Sequence, residues 1–276
     1  MPLAFLILFF IALVGFVAGR RRLRQIHRQE VRAEPFPDTW RAILKRNMKL
    51  YARLPPALRE ELHGHLQVFL AEKHFEGCGG LELTDEMRVT IAAQACLLLL
   101  NRRVDPYPKL GSILVYPGAY RPRRMAGPGL RHEPMDTVRL GESSSRGAVV
   151  LAWEAVQPDP EGSAEPRNLV LHEFAHQLDQ EDGVADGAPL LERPASYSTW
   201  AQVLSREYAA LKERAESGEP TLLDAYGATN PAEFFAVATE TFFEKPLEMR
   251  REHPELYEEL RGYYNLDPAE WMEGAP

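Results

Sequence analysis

The segment of this chain best equipped for chemistry is His172-Glu173-Phe174-Ala175-His176. On a helix, residues four apart lie on one face about a turn apart, so the two imidazoles can aim at one ion. Glu173, beside the first of them, can reach a water on that ion without ligating it. The pattern therefore offers two zinc ligands and a carboxylate general base. A zinc ion that activates water needs a third protein ligand and one open position. Downstream, Asn230 to Glu240 (NPAEFFAVATE) reads as a second helix, with Asn230 as N-cap and Pro231 at the first helical position. Glu233 and Glu240 are seven apart and share a face, and either can supply the third ligand. Glu233 also suits a capping-box carboxylate, and Glu240 a solvated charge, although Phe235, Phe242 and Phe243 predict a largely buried helix in which a carboxylate needs a partner. Spacing alone does not choose between them. Asp179, three residues after His176, is a candidate to orient a ligand histidine. Tyr226, seven residues before Glu233, can offer a phenol to a developing oxyanion.

Positioning these groups requires a folded body. Apolar spacing predicts a helix from Asp38 to Leu54, then a second started by Pro55-Pro56 and running to about Lys73. A turn rich in glycine (Gly77, Gly79, Gly80) follows. Thr84 is placed to cap a third helix that runs to about Asn101, and its stretch Ile91–Leu100 is apolar nearly all round, which predicts a buried central helix. Ser112–Tyr116 and Ala148–Trp153 read as strands, joined by a segment rich in Gly, Pro and Arg that reads as loops. Helices resume after Pro166, and Asn168 can cap the one that carries the two histidines. The fold class is α+β: mostly helical, with a small sheet and an active-site helix.

The chain of 276 residues is 45% hydrophobic, enough for a core in a single catalytic domain over residues 36–276. Cys78 and Cys96 are too few for a disulfide framework or a thiolate zinc site. Pro2 to Gly19 is an uninterrupted apolar run that spans about 27 Å as a helix, close to the hydrocarbon thickness of a bilayer. Six arginines against Glu30 and Glu34 give residues 1–34 a charge of +4, so the remaining 242 carry −12 of the net −8. A basic cluster after the apolar run, with no positive charge before it, predicts a single-pass anchor over residues 1–19 and a basic juxtamembrane linker over 20–35. The expected location is the inner membrane, with the catalytic domain in the cytoplasm. An acidic body argues against nucleic-acid binding, which needs a basic surface.

These residues together resemble the Mlc titration factor A family of bacterial zinc peptidases. The matching text includes LTDEMRVTIAAQACLLLLNR, ILVYPGAY, VLAWEAV, NLVLHEFAHQLDQEDG and DAYGATNPAEFFAVATETFF, within residues 36–265. The resemblance implies a zincin-like fold related to the catalytic domain of anthrax lethal factor. It implies one zinc held by His172, His176 and Glu233, with Glu173 as general base and Tyr226 assisting. It is the resemblance that selects Glu233 over Glu240. Many glutamate-zincins carry an acid four residues after the ligand glutamate; here that position is Val237, so a supporting acid must come from elsewhere, Glu240 or Asp179. The implied partners are a peptide or protein substrate and an Mlc-like transcriptional repressor; from the strand pattern itself, Ala148–Trp153 is the candidate sheet edge for an extended peptide.

Overall fold

The computed structural model describes residues 2–102, 107–119, 141–144, 147–157, 168–191 and 196–273; the side chains of residues 2–8, 11, 12, 142 and 144 are not among those described. The loops expected between the two predicted strands fall mostly on residues 120–140, outside the described residues.

Helix α1 (Pro2–Ala33) is continuous through both the apolar run and the basic segment. Its basic half packs on α3 (Pro56–Glu72), where Arg28 makes two bonds of 2.7 and 2.9 Å to Glu72. Gln67 Nε2 adds a bond to Glu34 O at 2.9 Å. Among the described residues no helix is long and apolar enough to cross a membrane. Much of the expected anchor lies on the side chains that are not described.

Between these helices, α2 (Asp38–Asn47) stops seven residues before the expected end at Leu54. Met48 adopts an extended conformation, and a short 3-10 turn (Lys49–Ala52) follows. The break swings Leu50, Tyr51 and Leu54 into the core, so packing overrides a continuous apolar period. After α3 the chain forms β1 (His74–Gly77), which the Gly-rich reading passed over. Gly79 and Gly80 then turn with positive φ, a conformation cheap only for glycine.

Helix α4 (Asp85–Leu97) starts where Thr84 accepts a bond from Met87 N, as its cap position predicts. It is buried on every side from Val89 to Leu97 and is the central helix of the domain. The helix ends at Leu97, four residues before the expected end, and the chain leaves it through turns that reach Asn101 at φ 56°.

β2 (Ser112–Tyr116), β3 (Gly141–Ser144) and β4 (Ala148–Ala152) complete a four-stranded sheet in the order β1-β2-β4-β3. β1, β2 and β4 are parallel, and β3 pairs antiparallel with β4. Ala148–Trp153 is therefore not a sheet edge, as had been expected: β4 is paired on both sides, and the edge beside it is β3. Trp153 itself begins α5 (Trp153–Val156).

The remaining helices are α6 (Leu169–Asp179), α7 (Ser196–Ser217), α8 (Pro231–Glu244), α9 (Pro246–Glu252), α10 (Pro254–Tyr264) and α11 (Pro268–Glu273). A short 3-10 turn (Ala225–Ala228) precedes α8. α6 packs against α4, the sheet and α8. Behind it, Phe174 meets Tyr107 and Phe69 with ring centroids 4.9 and 5.9 Å apart. On the far side of α8, Phe242 and Phe243 pack against Tyr257 and Tyr264. The first cluster seats α6 on α3 and Tyr107 and the second seats α8 on α10, and these two helices carry the predicted chemistry.

Candidate metal centre

α6 is capped as its sequence predicts: Asn168 Oδ1 accepts from Leu171 N at 3.0 Å. α8 is capped in the same way, by Asn230 Oδ1 on Glu233 N at 3.0 Å. The cap binds the backbone of Glu233, and its carboxylate turns to the histidines of α6. His172 Nε2 lies 2.9 Å from Glu233 Oε2, His176 Nε2 lies 3.3 Å from the same oxygen, and the two Nε2 atoms are 3.2 Å apart. Ligand atoms about 2.0 Å from a tetrahedral zinc sit roughly 3.3 Å from one another, so this triangle has the size of a zinc face.

The donor chemistry fits a cation as well. His172 Nδ1 lies 2.7 Å from Glu240 Oε1, which claims an N–H there, so in the neutral ring the lone pair of Nε2 would face Glu233. Lone pairs aimed at a carboxylate repel unless positive charge lies between them. Burial opposes a charged His172, yet the bonds to Glu233 and Glu240 outweigh it and raise the imidazole to about 10. Burial also opposes ionised Glu233, and the two histidines overcome it, holding the carboxyl at about 2. The cluster is built to hold positive charge, and His172, His176 and Glu233 could hold a metal ion.

The two carboxylates left open by spacing thus take different places. Glu233 joins the histidine cluster, and Glu240 stands behind His172. Glu240 Oε2 also accepts from Asn168 N at 2.8 Å, while Asn168 Nδ2 reaches Glu244 Oε1 at 2.8 Å. Asn168 therefore caps α6 and clasps it to α8, a second role missed from sequence; Glu244, one turn beyond Glu240, was its only signal. Asp179 is fully buried, but its Oδ2 accepts from Gly187 N at 3.0 Å. Among the described residues it holds the loop after α6, with no bond to a ligand histidine. Gly187 has φ +77° and lies against the backbone of Pro231, so Asp179 draws that loop onto the first turn of α8. Tyr226 is half exposed, on the turn before α8, with its ring centroid 6.0 Å from that of His172. Glu173 is buried beside His172.

The family model that matches this chain is the glucose-regulated metallo-peptidase M90 family, over residues 22–265. The chain belongs to the M90 metallo-peptidase family. Among similar proteins, uncharacterized protein slr2042 of Synechocystis is 43% identical over 97% of this chain and 98% of its own length. Mlc titration factor A of Pectobacterium atrosepticum is 31% identical over 84% of this chain and 87% of its own. Its counterpart in Klebsiella pneumoniae strain 342 is 32% identical over 79% and 83%. The match covers the sheet, α6 and α8, so this M90 chain has both helices of the candidate centre within the family's extent.

Proposed function

We propose that this M90 chain is a zinc-dependent peptidase whose ion is held by His172, His176 and Glu233. The observation that carries the reading is the triangle of two imidazole nitrogens and a carboxylate oxygen, 2.9 to 3.3 Å on a side, within a metallo-peptidase family. Zinc in that place supplies Lewis-acid activation of a water and of the scissile carbonyl. Glu173 takes a proton from the attacking water and delivers it to the leaving amine. Tyr226 donates its hydroxyl to the oxyanion that forms on the carbonyl oxygen. Glu240 keeps the Nδ1–H of His172 in place, so that Nε2 stays a ligand. The peptide lies extended along the outer edge of β3, which is unpaired among the described residues.

Glu173→Gln tests this reading. The expected result is unchanged zinc content with hydrolysis of a mixed-sequence peptide pool reduced at least about 10²-fold, as for loss of a general base. Turnover at the wild-type rate would sink the mechanism.

A second reading comes from the relatives' name, Mlc titration factor A, which suggests capture of an Mlc-like transcriptional repressor. Repressor pulled down equally by wild type and Glu173→Gln, with no cleavage by either, would favour binding over hydrolysis. For localisation we propose the single-pass anchor. Phe9, Phe10, Leu13, Val14, Phe16 and Val17 on α1 are all exposed among the described residues.

A further inference from the structure

β3 has no β-branched or apolar residue to recommend it as a strand, yet it lies directly on the helix of the metal centre. Its sequence is Gly141-Glu142-Ser143-Ser144. Pairing with β4 sets Gly141 opposite Leu151 and Ser143 opposite Val149, both fully buried, so Gly141 and Ser143 share the inner face of the sheet. Two residues along a strand advance about 6.7 Å, and four along a helix about 6 Å. Gly141 and Ser143 therefore keep step with Glu173 and Gln177 of α6. At the second of these places Gln177 Nε2 donates to Ser143 Oγ at 2.6 Å. At the first there is no room for a side chain. A Cβ on Gly141 would overlap Glu173 Oε1, and would lie 2.9 Å from Glu173 Cδ and 2.7 Å from Leu169 Cδ1. No positive φ is recorded for Gly141, so its backbone conformation does not require glycine. What a Cβ would displace is the Glu173 carboxylate, together with the tip of Leu169.

We propose that Gly141, with β3 pinned by the Ser143–Gln177 bond, is a positioning residue for the carboxylate of Glu173. The backbone of the edge strand is the wall against which that carboxylate is placed. This rests on the peptidase reading above, in which Glu173 handles the proton. On that reading the peptide lies along the outer edge of the same strand, unpaired among the described residues, so one element fixes both the depth of the substrate and the reach of the base. A methyl at Gly141 pushes the carboxylate away or lifts the strand, and misplacement of about 1 Å costs on the order of 10²-fold in rate.

The test uses the full chain in four forms: wild type, Gly141→Ala, Glu173→Ala and the double variant. Gly111→Ala serves as control, because a Cβ there meets nothing nearer than 3.7 Å. Gly141→Ala is expected to keep one zinc per chain and to lose about 10²-fold in kcat on quenched fluorescent peptides. KM is expected to change much less. Its melting temperature is expected to fall, and Glu173→Ala in the same chain to restore most of that fall, because removing the carboxylate makes room for the methyl. Additive melting shifts would overturn the contact. An active wild type with an equally active Gly141→Ala would overturn the positioning role alone. A zinc-loaded wild type that cleaves no peptide would overturn the peptidase reading and this role with it.

Discussion

At the scale of single residues, the centre depends on Glu240 almost as much as on its three candidate ligands. Glu240 accepts from His172 Nδ1 and from Asn168 N, so it orients the imidazole and ties α6 to α8. Removing it leaves a buried N–H without an acceptor and frees the ring to rotate. Glu240→Ala is expected to bind zinc about 10- to 100-fold more weakly in a chelator competition. Glu233→Ala removes a ligand and is expected to abolish stoichiometric zinc. Equal zinc affinity for wild type and Glu240→Ala would reduce Glu240 to a helix clasp. Each carboxylate lies beside a cap: Asn230 binds the backbone of Glu233 in the first turn of α8, while Asn168 N donates to Glu240 at the start of α6.

At the scale of elements, the corner between α3 and β1 is held by a partly buried cation. Lys73 Nζ donates to Tyr107 O at 2.7 Å and Leu110 O at 2.8 Å, fastening the end of α3 to the approach to β2. Burial lowers its pKa to about 8, against an ordinary 10.5, and nearby Glu72 only partly offsets this. Between pH 8 and 10.5 the folded chain therefore binds fewer protons at Lys73 than the unfolded chain does. Stability then rises with pH across that window, by at most about 1.4 kcal/mol per pH unit from this group. Below pH 8 both states are protonated and the slope vanishes. Urea titrations of wild type and Lys73→Met at pH 7, 8, 9 and 10 are expected to differ in slope above pH 8 only. Parallel curves would mean that Lys73 is solvated in the fold.

At the scale of the whole molecule, charge and apolar surface are divided along the chain. α1 exposes large apolar side chains near its start and carries arginines further on, while the body holds a charge near −12. Arg28 on Glu72 ties the basic half of α1 to the body, and the described apolar side chains from Phe9 to Val17 are exposed. The full-length chain is expected to remain with membranes through alkaline carbonate extraction. Phe10→Arg combined with Leu13→Arg is expected to release it, because a cation at mid-bilayer costs about 3 kcal/mol on insertion scales. Recovery of the wild type in the supernatant would remove the anchor.

The two histidines, their intervening glutamate, both helix caps and the central helix α4 were legible from sequence, because each is a local pattern: i and i+4 on one face, Asn before the first turn, an apolar run without a polar side. The long apolar run and the charge split were legible too, as compositional facts. The edge strand was not. β3 has no strand-like residue, and it exists because β4 offers an unpaired edge and α6 a surface on which only Gly141 fits. The break at Met48 was likewise invisible, since it is set by where Leu50 and Tyr51 find their pockets. Spacing left Glu233 and Glu240 equal, and only the packing of α8 across α6 set one beside His176 and the other behind His172. Sequence determines which atoms are available for chemistry, because ligand type and helical period are local. Tertiary structure decides which of them meet, because a distance of 3 Å between residues some sixty apart in the chain depends on how two helices cross.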